Sequence, residues 1–75
     1  MTPRRLRQFL ALIDHAHFGR AAKALGVSQP ALSKSIQLLE SELGVTLFDR
    51  RSDGVVLTAF GQLLREKSQR LLVAE

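Results

Sequence analysis

Between Phe18 and Leu43 the chain reads FGRAAKALGVSQPALSKSIQLLESEL, two helical patterns parted by Gly26, Val27 and Ser28. The first pattern, Phe18 to Leu25, turns Ala21, Ala22 and Leu25 inward, and its two alanines let another helix approach closely. Gly26 supplies a left-handed C-terminal conformation, and Ser28 stands where it caps the second helix. In the second pattern Leu32, Ile36, Leu39 and Leu43 fall within an arc of about 60° at about 100° per residue, which predicts a core face. Pro30, Lys34, Gln37 and Ser41 take a similar arc opposite, with Gln29 and Ser33 beside it near the helix start. That face is polar and carries no acid.

Upstream, Thr2 is placed to cap a helix whose first residue is Pro3, and Leu6, Phe9, Leu10 and Ile13 repeat at the spacing of one buried face, to about His15. Downstream, Gly44 closes the long helix. Val45, Leu47 and Phe48 then read as a short strand, Arg51-Ser52-Asp53-Gly54 as a turn and Val55 to Leu57 as a returning strand, the Asp-Gly pair being a strong hairpin signal. Thr58 caps a last helix in which Phe60, Leu63, Leu64, Leu71 and Leu72 are apolar, while Arg65, Glu66, Lys67 and Gln69 are expected at its surface. The chain stops at Glu75 inside this amphipathic helix, so it is expected to be part of a longer protein. The order of helix, helix, turn, helix, hairpin, helix is that of a mainly α winged helix-turn-helix, whose post-turn helix enters the DNA major groove.

Composition narrows the function. With 75 residues, no cysteine, 45% hydrophobic and 24% charged residues, one small domain without disulfides or a cysteine-bound metal is expected, its core thin and reliant on helix packing or a partner. Eleven Lys and Arg against seven Asp and Glu give +4, which favours an anionic partner such as nucleic acid or an acidic surface. Arg4, Arg5 and Arg7 before an apolar run imitate the start of a secretory signal. The run Phe9 to Ile13 is only five residues and ends at Asp14 and His15, short of the roughly 7–15 such a signal needs and of the roughly 20 of a membrane span. No membrane partner is therefore expected, and a cytoplasmic location is. An enzyme needs a nucleophile, an acid–base pair or a metal constellation around a pocket, and none is evident. His15 and His17 have only Asp14 nearby, and exposed or capping histidines account for them better than a metal pair does.

The charge is also unevenly placed. From His15 to Leu39 the strong bases Arg20, Lys23 and Lys34 meet no Asp or Glu, and Glu40 and Glu42 come only in the last turns of the long helix. Its N-terminal tip is thus free of acids, and a helix N-terminus favours phosphate oxygens. On its polar face, glutamine pairs bidentately with adenine, lysine donates to guanine O6 and N7, serine bonds base or phosphate, and Pro30 offers a thymine methyl an apolar contact. Taken alone, Gln29, Ser33, Lys34 and Gln37 read equally well as an ordinary solvated face; the turn motif before them favours base reading. Arg50 and Arg51 sit at the hairpin, where a wing lays such charges along phosphates or into a minor groove, the plainer reading being soluble turn charges beside Asp49 and Asp53. Arg4, Arg5 and Arg7 oppose the first helix's dipole, which suits a phosphate contact and suits flexible surface arginines nearly as well.

The run FGRAAKALGVSQPALSKSIQLLESELGVTLFDR, followed by GVVLTAFG, resembles the N-terminal DNA-binding domain of the LysR-type transcriptional regulators over almost the whole chain. Its most specific part is the ordered set Ala21-Ala22, Leu25, Val27-Ser28-Gln29-Pro30-Ala31, Ser33, Ile36, Leu39-Glu40, Leu43-Gly44, Leu47-Phe48 and Arg50, closed by Leu57-Thr58 and Gly61. The resemblance implies a bacterial repressor or activator with a DNA-binding domain over residues 1–57, a linker helix over 58–75, and a larger effector-binding domain beyond. This segment would hold no cofactor, a small-molecule effector binding that further domain. The linker helix would pair with its counterpart, with Phe60, Leu63, Leu64, Leu71 and Leu72 as core or dimer contacts, giving a homodimer on an interrupted palindrome in promoter DNA and a tetramer for the full-length protein. Carried over, base contacts fall on Gln29, Pro30, Ser33, Lys34 and Gln37, with backbone support from Ser28, Arg50 and Arg51 and a phosphate contact from Arg4 or Arg5. Two positions depart from the pattern. His17 stands where the family often has serine, so a weakened helix cap is expected, and Phe60 replaces a usually small residue and is expected in the core.

A winged-helix module that binds protein or its own copy is the alternative to a DNA reader. Such a module has no need of an acid-free tip.

Overall fold

Each helix begins where a side chain takes up a free backbone amide. The computed structural model describes residues 2–74, with side chains described for residues 2–70. Helix α1 (Pro3–His15) starts on the Thr2 hydroxyl, which accepts from the Arg5 amide at 3.1 Å, and α3 (Gln29–Leu43) on the Ser28 hydroxyl, which accepts from Ala31 at 3.2 Å. Helix α2 (Phe18–Leu25) starts on His17, whose Nδ1 accepts from Arg20 at 3.3 Å. The expected weakening of this cap is therefore corrected: imidazole supplies the acceptor that serine would. Gly19 makes room for it, since a Cβ there would lie 3.1 Å from the His17 ring.

The core is one cluster: Leu6, Phe9 and Leu12 from α1, Phe18, Ala21 and Ala22 from α2, Leu32, Ile36 and Leu39 from α3, and Leu47, Phe48 and Val55 from the hairpin and its approach. The Phe9 and Phe48 rings lie 5.4 Å apart at 57°, a tilted aromatic pair that joins α1 to the hairpin. Leu43 is corrected. It shares the apolar arc of α3 but is 44% exposed, because helical angle sets a direction and the packed elements end a turn earlier, at Leu39.

Strands β1 (Phe48–Arg51) and β2 (Gly54–Leu57) pair antiparallel, from Phe48 opposite Leu57 to Arg51 opposite Gly54. The first strand thus begins later than the sequence predicts, and Arg51 lies in it rather than in the turn, which narrows to Ser52 and Asp53. The delay has a cause in α3. The Glu40 carboxylate accepts from the amides of Leu47, at 2.7 Å, and Phe48, at 3.3 Å, holding the approach to the strand against the helix before pairing starts. The far end of the hairpin is held by the residue just after α1: the Ala16 carbonyl accepts from the Val55 amide at 3.0 Å.

Helix α4 (Ala59–Ala74) is locked to the hairpin through Thr58. The Thr58 amide donates to the Leu47 carbonyl, its hydroxyl donates to the Thr46 carbonyl at 2.6 Å, and the same oxygen accepts from the Gly61 amide. Gly61 lies so close to the Leu47 carbonyl that a Cβ would stand 2.3 Å from its oxygen. The inward stripe of α4 is Gly61, Leu64 and Ser68, a set of mostly small residues, with the Ser68 hydroxyl fully buried and without a hydrogen-bond partner among the described residues. Phe60 and Leu63 are 57% and 51% exposed. The expectation that Phe60 finds apolar cover is thus corrected: the helix is turned so that its glycine, not the neighbouring ring, meets the hairpin.

Candidate nucleic-acid interface

Burial of Leu32, Ile36 and Leu39 against α1 and α2 fixes which side of α3 faces out. Pro30, Lys34 and Ser41 form its crest and are exposed. Gln29, Ser33 and Gln37, four residues apart in turn, run down the flank beside the hairpin; Ala31 and Ser35 run down the flank beside α1. Contacts on both sides bear this out. Arg50 Nη2 donates to Ser33 Oγ at 3.2 Å across the first flank, and the Ser35 hydroxyl donates to Gln8 Oε1 across the second.

Each flank is a cleft. Between hairpin, α2 start and α3, a space of about 160 Å³ is lined by His17, Phe18, Gln29, Arg50 and Arg51 among others. Its floor is the Phe18 ring, with the Arg50 guanidinium 4.4 Å above the ring centroid, a cation–π contact. On the other side, a wider space of about 360 Å³ is lined by Thr2, Arg4, Arg5, Gln8, Ala31 and Ser35. Arg5 lies 3.5 Å from Glu42 in a surface ion pair, which is easily exchanged for another anion, while Arg4 is exposed beside it. A crest of Pro30 and Lys34 thus stands between two clefts, one lined by Arg50 and Arg51 and the other by Arg4 and Arg5.

The residues expected to meet DNA are therefore gathered on one side of the domain: Gln29, Pro30, Ser33, Lys34 and Gln37 on α3, Arg50 and Arg51 on β1, and Arg4 and Arg5 on α1. Ser28 stands at the same tip with its oxygen committed to the cap. Phe60 and Leu63 sit apart on α4, exposed, with Leu64 half-buried; the side chains of Leu71 and Leu72 lie outside the described residues. Among the described residues no three His, Asp or Glu side chains gather as metal ligands, and no helix is long and apolar enough to cross a membrane.

Three contributors escape a reading of the sequence. Phe18 enters the sequence reading only as the first residue of its helix, and its platform role shows only once β1 lies over it. Gln8, buried beside Phe9, belongs to an apolar face it does not match, and that mismatch is a signal for a buried amide with a partner. Glu40 leaves one as well: it borders the apolar arc of α3, where a carboxylate needs donors.

Residues 3–62 match the family model described as the bacterial regulatory helix-turn-helix protein, lysR family. The chain is 56% identical over 69 residues to an SDS degradation transcriptional activation protein of a Pseudomonas species, covering 92% of this chain and 22% of that protein. It is 56% identical over 68 residues to the transcriptional regulator XapR of Escherichia coli, covering 91% of this chain and 23% of XapR. Its structure superposes with a TM-score of 0.92 on the CbnR DNA-binding domain in a crystallised DNA complex, at 39% identity, covering 99% of this chain and 85% of that one. The chain thus spans less than a quarter of the length of the two regulators it matches.

Proposed function

The chain belongs to the lysR family of bacterial regulatory helix-turn-helix proteins, and from that membership we propose that it is the sequence-specific, double-stranded-DNA-binding domain of a transcription regulator. Residues 28–43 enter the major groove, and the hairpin lies on the backbone or in the adjacent minor groove. Gln29, Pro30, Ser33, Lys34 and Gln37 meet base edges. Arg50 and Arg51 on one side, Arg4 and Arg5 on the other, hold phosphates, with Ser28 supporting the helix tip. The observation that carries the reading is the acid-free crest of α3 set between two arginine-bearing clefts.

The exposed Phe60 and Leu63 favour a joined pair of copies. Residues 58–75 form the linker helix of a homodimer, with Leu64, Leu71 and Leu72 extending the contact, and two recognition helices then meet an interrupted palindrome in promoter DNA. The full-length protein, working in the bacterial cytoplasm, binds a small-molecule effector in a further domain and assembles as a tetramer.

The division of labour is open to a direct test. Lys34→Ala relaxes sequence preference and costs about 1–3 kcal/mol on the preferred duplex, whereas Arg51→Ala weakens all duplexes evenly. Titration of each variant against preferred and scrambled duplexes checks this; equal losses on every sequence from both variants refute the assignment.

A further inference from the structure

We infer that Phe18 is a positioning residue for DNA binding: its π face holds the Arg50 guanidinium ready for a backbone phosphate, and so raises affinity for every duplex alike. The inference rests on the DNA-reading function proposed above, and within it on Arg50 as a phosphate ligand.

An exposed arginine is hard to recruit as a ligand. Its side chain is long and samples many rotamers, and fixing one of them at an interface opposes binding. Arg50 is exposed, yet three contacts narrow its choices. Its Cζ lies 4.4 Å from the centroid of the Phe18 ring, within reach of a cation–π attraction. Its Nη2 donates to Ser33 Oγ at 3.2 Å. Its backbone pairs with Val55, whose amide is tied to the Ala16 carbonyl, so the strand that carries it is anchored as well.

The platform is itself fixed. Phe18 is buried at the start of α2, directly after the His17 cap, and belongs to the same core cluster as Phe48 and Val55 of the hairpin. Its ring covers one face of the guanidinium and Ser33 takes one N–H, which leaves the remaining N–H groups for an anion. A phosphate does not compete with the ring, because it is bound through those N–H groups, in the guanidinium plane, while the ring takes a face. The stacked conformer is therefore the binding-competent one, and apparent affinity scales with its population in the free domain. The attraction is electrostatic, so that population depends on the electron density of the ring face and not on its bulk alone.

The test replaces Phe18 with mono-, di- and trifluorinated phenylalanine, both in the unmodified chain and in Arg50→Met. Fluorine withdraws electron density from the ring face in steps at nearly constant shape. Affinity is read by fluorescence anisotropy against a labelled randomised duplex pool over a series of salt concentrations, since a phosphate contact is indifferent to sequence. With Arg50 present, affinity should fall stepwise, to about two- to fivefold below the unmodified chain at the trifluorinated ring, the range of a cation–π contact at an exposed site. The logarithmic salt slope should stay unchanged along that series because the charge remains, whereas Arg50→Met should reduce it by about 0.9. In the Arg50→Met background fluorination should change nothing. No stepwise loss with Arg50 present, the same loss without it, or an Arg50→Met chain that binds as tightly as the unmodified one would each overturn the inference and leave the DNA-reading function standing. An unmodified chain that binds no duplex at low salt would overturn that function and the inference with it.

Discussion

Leu39→Ala lowers the stability of the domain by about 2–5 kcal/mol. Leu39 has no exposed surface and stands where α3 meets the rest of the core, so its removal loses the transfer free energy of the side chain and leaves a cavity that a close-packed interior fills only in part. A chain of 75 residues has a total stability of roughly 4–11 kcal/mol, and the loss is therefore a large share of the whole. Urea unfolding followed by circular dichroism measures it, with Leu43→Ala as the comparison. Leu43 has the same chemistry and lies on the same helical arc, yet it is 44% exposed, and its truncation should cost less than about 1 kcal/mol. Equal costs at the two positions would show that the core does not end where the structure ends it.

Gly54→Ala is expected to cost about 2–5 kcal/mol and to weaken DNA binding as well. Gly54 has φ +147°, a region essentially closed to side chains, and an alanine Cβ there would stand 2.2 Å from the Ala16 carbonyl oxygen. The obstacle is backbone, and it is the same oxygen that receives the Val55 amide. Relief requires the hairpin to move off the α1–α2 connection, and Arg50 and Arg51 move with it. Gly26→Ala separates the two causes. Gly26 also has positive φ, at +71°, but a Cβ there meets nothing within 4 Å, so only the backbone term of about 1–2 kcal/mol applies. Thermal unfolding and duplex titration of both variants check the contrast. A Gly54→Ala protein no less stable than Gly26→Ala would show that the hairpin is not anchored at Ala16.

Helix boundaries are legible in the sequence because capping and periodicity are local. Thr2, Ser28 and Gly26 mark their positions from chemistry within a turn, and the elements begin and end at them. The composition of the polar face of α3 is legible for the same reason, since Gln29, Pro30, Lys34 and Gln37 share one side of one helix. Contacts between distant residues set the rest. The start of β1 depends on Glu40 reaching Leu47 and Phe48, and the rotation of α4 depends on Gly61 meeting the Leu47 carbonyl. Periodicity along α4 counts large apolar residues and so points to Phe60 and Leu63, whereas close approach selects the smallest residue. The bond between Arg50 and Ser33 spans 17 positions and two elements, and no pattern in the chain signals it.

The central claim is that this domain reads DNA sequence through α3 while arginines on both flanks hold the backbone. Its most direct test is a fluorescence-anisotropy titration of the chain against a randomised duplex pool at two salt concentrations, with the retained duplexes sequenced. Four arginine–phosphate contacts, each adding about 0.9 to the logarithmic salt slope, predict a fall in affinity of at least about 100-fold between about 50 and about 200 mM salt. The retained duplexes should be enriched in an interrupted palindrome. Absence of binding at low salt, or salt-sensitive binding that enriches no sequence, would contradict the account.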